Sequence, residues 1–384
     1  MTIGDFNPKE FPIPVELKQY IVDAYFDDQT NYPAADGMLE LRNAVSNLLK
    51  ERGELDYKND EILIAGGARP VIYSIFKALV DEGDTVIFAV PSWNNNHYSY
   101  LNFAKSVVIE AKPEENFMPS AKDIAPFIQD ATLVALCSPQ NPTGTVFTKE
   151  GLNEICDLIL AENKRRGPDK KPVYLMYDQI YWALTFGNTK HYNPVTLNPE
   201  MKAYTVFVDG ISKSLSATGV RVGWSMGPKF IIDKMKAILT HVGAWAPKAE
   251  QIASAKYLSN LDMYDAFITK QKESIIARLD GFYKGFQTLK NEGFKVDAIT
   301  PQAAIYLTIK FDLHGMKTAD GKVLETTKDI TKFILDEAKL AVVPFYCFGA
   351  SDNSPWYRMS VGTCNVNDIE AVISSLRNAL KKLS

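Results

Sequence analysis

The sequence predicts an α/β protein in which a mostly parallel sheet carries helices on both faces, giving three layers, with a smaller α+β domain beside it. Two observations support this prediction. Between about residues 60 and 210, short apolar runs alternate with segments of helical periodicity, the pattern of parallel strands joined by helices. Beyond about residue 250 the pattern changes to long helices followed by short apolar runs, which indicates a second unit.

The clearest strand–helix–strand unit lies near residue 60. The stretch "EILIAGG" (61–67) predicts a strand and a turn, and "ARPVIYSIFKALV" (68–80) predicts a helix with Pro70 in its first turn, where a missing N–H is harmless. "DEGD" ends this helix, and "TVIFAV" from Thr85 is the next strand. The apolar face of the helix consists of Val71, Ile72, Ile75, Phe76, Leu79 and Val80.

The remaining elements follow in order along the chain. Further strands are predicted at "ATLVALC" from Ala131, "PVYLMY" from Pro172 and "AYTVFV" from Ala203. Later come two helical segments, "AEQIASAKYLSNL" and "KESIIARLDGFYKGFQTLKNEG", and two short strands, "AAIYLTIKF" and "AVVPFYC". We therefore expect a large domain over residues 38–270 and a small domain that includes residues 271–384.

Composition limits the classes of function. The 384 residues are 46% hydrophobic and 23% charged, so the chain can bury a large core, and a formal net charge of -4 with no basic run argues against nucleic acid or membrane partners. The four cysteines form no C-x-x-C pair, and "MTIGDFNPKE" lacks the features of a signal peptide, so we expect a cytoplasmic protein. The four histidines lack metal-ligand spacing, so no metal is expected.

Polar and aromatic residues follow four of the predicted strands. Trp93 follows the strand from Thr85, Asn141 follows the strand from Ala131, and Asp178 and Tyr181 follow the strand from Pro172. The fourth strand leads into "DGISKSLSATGVRVGW" (209–224), which presents a lysine, an arginine and exposed backbone. Because ligands bind outside the carboxyl ends of parallel strands, these residues are expected to converge on one crevice.

An amine, a carboxylate, an aromatic ring and an anion site together suit an aldehyde cofactor on a phosphorylated pyridine ring. With these residues in place, the chain resembles the class I and II aminotransferases, fold type I enzymes that use pyridoxal 5'-phosphate. The resemblance spans nearly the whole chain and rests on seven motifs in the family's order. They are "NYPAADGMLELR", "GGARP", "PSW", "SPQNPTGTVF", "YDQIY", "SKSLSATGVRVG" and "YRMSVG".

The resemblance implies roles around the cofactor ring. Lys213 would form the Schiff base with the cofactor aldehyde and carry the proton between substrate and cofactor carbons, with a pKa lowered by burial and neighbouring cations. Asp178 would pair with the pyridine nitrogen and keep it protonated. Tyr181 and Asn141 match the residues that bind the ring's phenolic oxygen, and Trp93 matches the residue that stacks on the ring.

The resemblance also implies a phosphate site. Arg221 matches the phosphate arginine, because a guanidinium fits a phosphate in a bidentate manner. Ser212 and the backbone of Gly67, Ala68 and Arg69 would assist it, at a helix N-terminus whose free N–H groups suit an anion.

Two further implications concern the substrate and a partner subunit. Arg358 matches the arginine that binds the substrate α-carboxylate, and Asn141 and Trp93 are expected to contact the substrate as well. Gly4 would approach the same carboxylate, because "IGDFNPKEFPIP" resembles the segment that closes over the substrate. The resemblance thus adds residues 1–37 to the small domain formed by residues 271–384. Tyr32 resembles the tyrosine that reaches the partner subunit's phosphate, which implies a homodimer with shared active sites.

The sequence departs from the family pattern at three places near this site. "GGARP" carries Arg69 and Pro70 where small or amide residues are usual, so Arg69 either adds charge at the phosphate or points to solvent. "VVPFYCFG" replaces a small-residue turn, which would narrow the substrate entrance. Residues 94–97, which end at His97, follow Trp93 and are candidates for lining the side-chain pocket.

The predicted reaction is transfer of the amino group of an L-amino acid to a 2-oxo acid by a ping-pong route through pyridoxamine phosphate. One alternative keeps the cofactor but acts as a carbon–sulfur β-lyase, although "QNPTGTVF" favours the aminotransferase, since the lyase relatives tend toward His before the Asn-Pro pair. Another is a non-catalytic regulator that binds the cofactor, against which the set of Lys213, Asp178 and Arg358 argues. The amino acid donor stays open between aromatic and acidic side chains.

Overall fold

The computed structural model describes residues 1–93 and 95–384. Its large sheet has seven strands in the order β1-β7-β6-β5-β4-β2-β3. Strands β2 to β6 run parallel to one another, whereas β7 is antiparallel to both β1 and β6. The strands are β1 (Ile62–Ala65), β2 (Thr85–Val90), β3 (Lys105–Glu110), β4 (Ala131–Cys137), β5 (Tyr174–Asp178), β6 (Thr205–Gly210) and β7 (Gly223–Met226).

Helices cover both faces of this sheet. Along β1, for example, Ile62 and Ile64 join one apolar core while Leu63 and Ala65 join another on the opposite face. This alternation follows from the two-residue period of a strand. The helices are α1 (Val15–Phe26), α2 (Leu39–Gly53), α3 (Ala68–Leu79), α4 (Asn95–Leu101), α5 (Ala121–Ile124), α6 (Lys149–Arg166), α7 (Pro194–Leu197), α8 (Ile211–Ser214), α9 (Lys229–Val242), α10 (Lys248–Leu258), α11 (Leu261–Asn291), α12 (Thr327–Ala338) and α13 (Ile369–Leu380).

A second, antiparallel sheet has the order β10-β11-β9-β8. Its core is separate from the two cores of the large sheet and includes apolar residues of α11, α12 and α13. The strands are β8 (Val296–Ala298), β9 (Tyr306–Phe311), β10 (Val343–Pro344) and β11 (Trp356–Ser360). Helix α11 is continuous through residue 270, and the domain boundary placed there from the sequence stays a prediction.

The predicted fold class, a three-layer α/β sheet with a smaller α+β unit, is confirmed. The strands predicted from Thr85 and Ala131 begin at those residues, and the helix after β1 begins at Ala68. In the small sheet the sequence analysis missed β8 and β11, and in the large sheet it missed β3 and β7. Strand β3 is an edge strand with mostly exposed side chains, and β7 is only four residues long and begins with glycine, so neither has a strong apolar pattern.

The first eleven residues lie between the two sheets. The backbone N–H of Asn7 donates to the carbonyl of Gly362, and Glu10 forms an ion pair with the buried Arg278 of α11 at 2.7 Å. Asp5 accepts a hydrogen bond from Thr218, which lies in the loop between α8 and β7. Thus the segment contacts the ends of both sheets. Among the described residues, the structure contains no helix long and apolar enough to span a membrane.

Candidate active site

A cavity of about 610 Å³ opens where the carboxyl ends of β2, β4, β5 and β6 face the N-terminal segment and the small sheet. It brings together most of the site residues predicted from the sequence, although they lie up to about 350 positions apart. Those that line it are Gly4, Ala68, Arg69, Trp93, Asn141, Asp178, Tyr181, Ser212, Lys213, Arg221 and Arg358.

Lys213 supplies an amine to the centre of this cavity. It lies in α8, which begins one residue after β6, and its carbonyl accepts a hydrogen bond from Gln271 at 2.9 Å. Its Nζ donates to the carbonyl of Gly4 at 2.5 Å and lies 5.7 Å from the ring centre of Tyr181. Burial lowers the pKa of the Lys213 amine to about 8; three neighbouring guanidinium groups act in the same direction and Asp5 opposes them. Part of the amine is therefore neutral between pH 7 and 8.

Two carboxyl groups lie near the carboxyl ends of neighbouring parallel strands, Asp178 half-buried and Asp209 buried. Asp178 ends β5 and accepts a hydrogen bond from the backbone of Ile180 at 3.0 Å, and burial raises its pKa to about 6. Asp209 lies in β6 and accepts a hydrogen bond from the indole of Trp182 at 2.9 Å, and burial raises its pKa to about 8. Of these two, Asp178 lines the cavity and Asp209 does not, so Asp178 is the one within reach of a ligand.

The first turn of α3 and Arg221 form an anion cradle. The helix N-cap, Gly67, has φ of 97° and no side-chain cap, and a Cβ there would overlap the Arg221 guanidinium. Arg221 is fixed by hydrogen bonds to the carbonyls of Thr218 at 2.7 Å and Gly66 at 2.9 Å. Free backbone N–H groups at a helix start, next to a fixed guanidinium, suit a phosphate.

Arg358 presents a guanidinium at the small-sheet side of the cavity. It lies on β11, is 4% exposed, and donates to Asn141 Oδ1 at 2.8 Å and to the Thr2 carbonyl at 2.6 Å. Its Nε has no hydrogen-bond partner among the described residues. A buried, unsatisfied donor on a guanidinium is costly unless an acceptor binds, and a carboxylate supplies one.

Aromatic side chains surround this guanidinium. Its Cζ lies 4.8 Å from the ring centre of Tyr306, 4.7 Å from that of Phe348 and 5.9 Å from that of Trp93. Trp93 is also 5.7 Å from the Arg69 guanidinium. Arg69 lines the cavity and is also exposed, so it faces both the site and solvent, the two orientations left open by the sequence.

Some predicted residues lie elsewhere. Gly67 is not part of the cavity lining but packs against Arg221, as described above. Tyr32 is 81% exposed and packs edge-to-face on Trp245 with ring centres 5.2 Å apart, away from the cavity of its own chain. Its role in a partner's site stays a prediction. Of the predicted side-chain pocket after Trp93, Asn94 lies outside the described residues, Asn95 lines the cavity and His97 is exposed.

The sequence analysis missed several residues of the cavity. Tyr306 of β9 is hydrogen bonded to Tyr181, with 2.6 Å between the two hydroxyl oxygens, and Asp5 and Thr218 line the wall beside Lys213. Thr2 also was not expected to bond Arg358. A polar residue in an otherwise apolar strand, such as Tyr306 in "AAIYLTIKF", is a weak signal because a buried tyrosine is common in cores.

Comparison with known proteins agrees with this geometry. A sequence model described as aminotransferase class I and II matches residues 6–376. The chain belongs to this family. The resemblance noted from the motifs is therefore confirmed, and with it the prediction of an aminotransferase.

Relatives of this aminotransferase carry consistent names. It is 30% identical to a probable aspartate/prephenate aminotransferase of Rickettsia felis, over all of this chain and 90% of that protein. It is also 30% identical to an aspartate aminotransferase of Bacillus sp. strain YM-2, over 97% of this chain and 89% of that protein. The crystal structure of the aspartate aminotransferase from Rhizobium meliloti superimposes with a TM-score of 0.90 at 26% identity, covering all of this chain and 91% of that one.

Proposed function

We propose that this aminotransferase uses pyridoxal 5'-phosphate to move the amino group of L-aspartate to a 2-oxo acid. The observation that carries the proposal is the shared cavity: one partly neutral lysine amine, the half-buried Asp178 carboxyl group, an anion cradle and an unsatisfied arginine lie together. When bound, the cofactor supplies an aldehyde and a protonated ring that withdraws electrons from the substrate. The residues around the cavity fit each part of such a group.

The cofactor's phosphate fits the anion cradle. Gly67 has no Cβ, Arg221 is held by two carbonyls, and the N–H groups of Ala68 and Arg69 begin α3. Ser212 contributes a hydroxyl on the same wall. These groups would anchor the dianion and so fix the position of the ring relative to the strand ends.

The polar residues beyond the cradle would act on the ring and on the reacting proton. Asp178 would hold a proton at the ring nitrogen, and a charged partner there would bring its own pKa back down from about 6. Lys213 would bind the aldehyde carbon and later carry the proton as general base and acid, for which a pKa of about 8 is well matched to neutral solution. Tyr181 and Asn141 would contact the phenolic oxygen, and Trp93 would cover the ring and limit access of water.

The substrate carboxylate fits Arg358, whose Nε lacks an acceptor and whose Nη1 is oriented by Asn141. In the structure Nη2 bonds the Thr2 carbonyl, so the carboxylate would displace that contact, and Gly4 would then lie beside it. The proposal of an acidic donor is supported by the names of the relatives and by Arg69, which adds a further cation to the lining. The side-chain carboxylate of L-aspartate would be attracted electrostatically to such a cation.

The test is a half-reaction. The protein loaded with pyridoxal 5'-phosphate is mixed with L-aspartate and no oxo acid, and the visible absorbance of the cofactor and the oxaloacetate formed are followed. We expect the absorbance to change to that of pyridoxamine phosphate with one equivalent of oxaloacetate per site. Formation of pyruvate and ammonia from a cysteine conjugate, with the absorbance unchanged, would support the β-lyase instead.

We also propose that two chains form the active unit and share their sites. Tyr32 is exposed and packs on Trp245, whose carbonyl lies close to Gly66 at the cradle, so a tyrosine from a second copy would have a short path to the phosphate. Sedimentation would give a dimer, and Tyr32→Phe would weaken cofactor binding in that dimer. A monomer with full activity would contradict this proposal.

The proposed compartment is the cytoplasm. All four cysteines are free thiols, and none is paired in the structure. Free thiols are typical of reducing compartments. Fractionation of cells that express the protein would test this, and recovery outside the cytoplasm would contradict it.

A further inference from the structure

Tyr306 contacts several residues of the site, but neither the sequence motifs nor the proposed reaction gives it a role. It lies at the start of β9, and its hydroxyl is 2.6 Å from that of Tyr181, with the two rings edge-to-face at 5.6 Å. Both tyrosines are 2% exposed. The Tyr306 hydroxyl also contacts Gly4, since a Cβ at Gly4 would overlap it.

The charges around the two phenols favour one direction for their shared hydrogen bond. Burial raises the pKa of both, and for Tyr306 the Arg358 cation is the strongest opposing influence, whereas for Tyr181 contact with the other phenol raises the pKa further. The Arg358 guanidinium lies 4.8 Å from the ring centre of Tyr306, and a cation at that distance polarises the Tyr306 phenol and makes its hydroxyl the better donor of the two. The other titratable groups facing the pair are Lys213 of α8, Asp178 of β5 and Cys137 of β4.

We propose that Tyr306 is a positioning residue of the aminotransferase site: its hydroxyl donates to the Tyr181 oxygen and leaves the Tyr181 hydrogen to bind the cofactor's phenolic oxygen. This inference rests on the proposed cofactor. Without the Tyr306 donor, the Tyr181 hydroxyl is free to rotate toward other acceptors, and its own hydrogen bond to the cofactor weakens. Tyr306 does not take part in proton transfer itself.

The position of Tyr306 also links the two substrate-facing parts of the site. On the small sheet, β9 and β11 pair so that Tyr306 lies opposite Ser360 and Thr308 lies opposite Arg358. The Tyr306 ring supports the Arg358 guanidinium at 4.8 Å, and its hydroxyl reaches across to Tyr181 beyond β5. The Tyr306 side chain thus orients Tyr181, which would bind the cofactor, and packs on Arg358, which would bind the substrate carboxylate.

The experiment measures the pH at which the visible absorbance of bound pyridoxal 5'-phosphate changes, in the wild type and in Tyr306→Phe. A hydrogen bond donated to the phenolic oxygen stabilises negative charge there, so it favours the deprotonated form of the Lys213 linkage to the cofactor. Loss of the Tyr306 donor should raise the midpoint by roughly 0.3 to 1 pH unit, as expected for one hydrogen bond. We expect kcat/KM for L-aspartate to fall about three- to tenfold.

Three variants make the result specific. Tyr181→Phe should raise the midpoint more than Tyr306→Phe, and the double variant should match Tyr181→Phe alone, because Tyr306 acts through Tyr181. Tyr357→Phe is the matched control: it removes a buried hydroxyl from the neighbouring strand, where Tyr357 bonds the Thr327 carbonyl on the far side of the sheet. Its midpoint should equal that of the wild type.

Two results would overturn the inference. The first is a midpoint in Tyr306→Phe equal to that of the wild type while Tyr181→Phe shifts it, and the second is a double variant whose shift is the sum of the two single shifts. If the wild type gives no visible absorbance with pyridoxal 5'-phosphate, the proposed cofactor is wrong and this inference fails with it. Absorbance in the wild type therefore separates the two failures.

Discussion

The two ends of the cavity are built in different ways. At the end near the large sheet, the side chains follow successive strands: Asn141 after β4, Asp178 at the end of β5 and Lys213 after β6. At the other end, Arg358 of β11 bonds Asn141 and Thr2, which are 217 and 356 positions away along the chain. The first end is fixed by short connections within one sheet, and the second is assembled by contacts between distant segments.

This difference separates the groups proposed to hold the cofactor from the groups proposed to bind the substrate. Most groups proposed to hold the cofactor lie at strand ends, where their positions depend on one sheet. Groups proposed to bind the substrate carboxylate lie on the small sheet and on the N-terminal segment, which bonds both Lys213 and Arg358 through backbone carbonyls. We therefore expect substitutions at the large-sheet end to remove the reaction, and those at the other end to change substrate affinity while leaving the cofactor bound.

Replacement of Lys213 should have the largest effect. Lys213→Met removes the amine proposed both to bind the aldehyde and to act as general base, so turnover should fall by at least about 10⁴-fold. The measurement is kcat for L-aspartate, with the visible absorbance of the bound cofactor lost as well. Lys229→Met, which removes an exposed lysine of α9, is the control. Retention of more than a tenth of the activity would place the essential amine elsewhere.

Replacement of Arg358 should have a smaller effect of a different kind. Arg358→Gln removes the charge that binds the α-carboxylate, and kcat/KM should fall about 10- to 100-fold for every amino acid donor, mainly through KM. The cofactor's Kd should stay within about twofold of the wild type. Arg377→Gln, at an exposed ion pair with Glu292, should leave both quantities unchanged. A loss of kcat/KM for one amino acid donor only would indicate that Arg358 recognises the side chain of that donor instead.

The same division explains what the sequence could predict. Asp178, Lys213 and Asn141 were predictable because each follows an apolar strand, and the carboxyl ends of parallel strands meet at one edge. Arg358 lies inside a strand of the second sheet, and only the family resemblance identified it. Neither the strand pattern nor the family resemblance identified Tyr306, Thr2 or Asp5. Their contacts join segments that are far apart in the sequence, and no local pattern connects such segments.

A third prediction concerns the cost of placing an amine at the large-sheet end. Burial lowers the pKa of Lys213 to about 8, below the value of about 10.4 in an unfolded chain, so at pH 7 the folded protein without cofactor carries a disfavoured charge. Lys213→Met should therefore raise the free energy of unfolding at pH 7 by about 1 to 3 kcal/mol.

The pH dependence of this difference in the free energy of unfolding between Lys213→Met and the wild type is the more specific test. Between pH 8 and 10 the folded protein has released the Lys213 proton while the unfolded chain still holds it, so the wild type gains stability relative to the variant as pH rises. Urea unfolding of both cofactor-free proteins at pH 7 and pH 10 should give a difference that shrinks at the higher pH. A constant difference would show that packing, not charge, determines it.

The smallest effect is expected where the N-terminal segment is held. Glu10 pairs with Arg278 at 2.7 Å and accepts from Asn365 at 2.8 Å, and the Arg278 side chain is 6% exposed. Glu10→Gln leaves that buried guanidinium without its counter-charge, so the free energy of unfolding should fall by about 1 to 2 kcal/mol. Arg278 keeps its bonds to the Cys364 and Ser274 carbonyls, which limits the loss.

The control for this pair is an exposed one on α12. Asp336→Asn breaks the Lys332–Asp336 pair, whose side chains are 72% and 51% exposed, and should change stability by less than about 0.5 kcal/mol. In Glu10→Gln the KM for L-aspartate should change, because the segment that carries Thr2 and Gly4 is less firmly seated, while the cofactor's Kd should not. Equal changes in both constants would mean that the two ends of the cavity are not built independently, since a contact far from the strand ends would then also fix the cofactor.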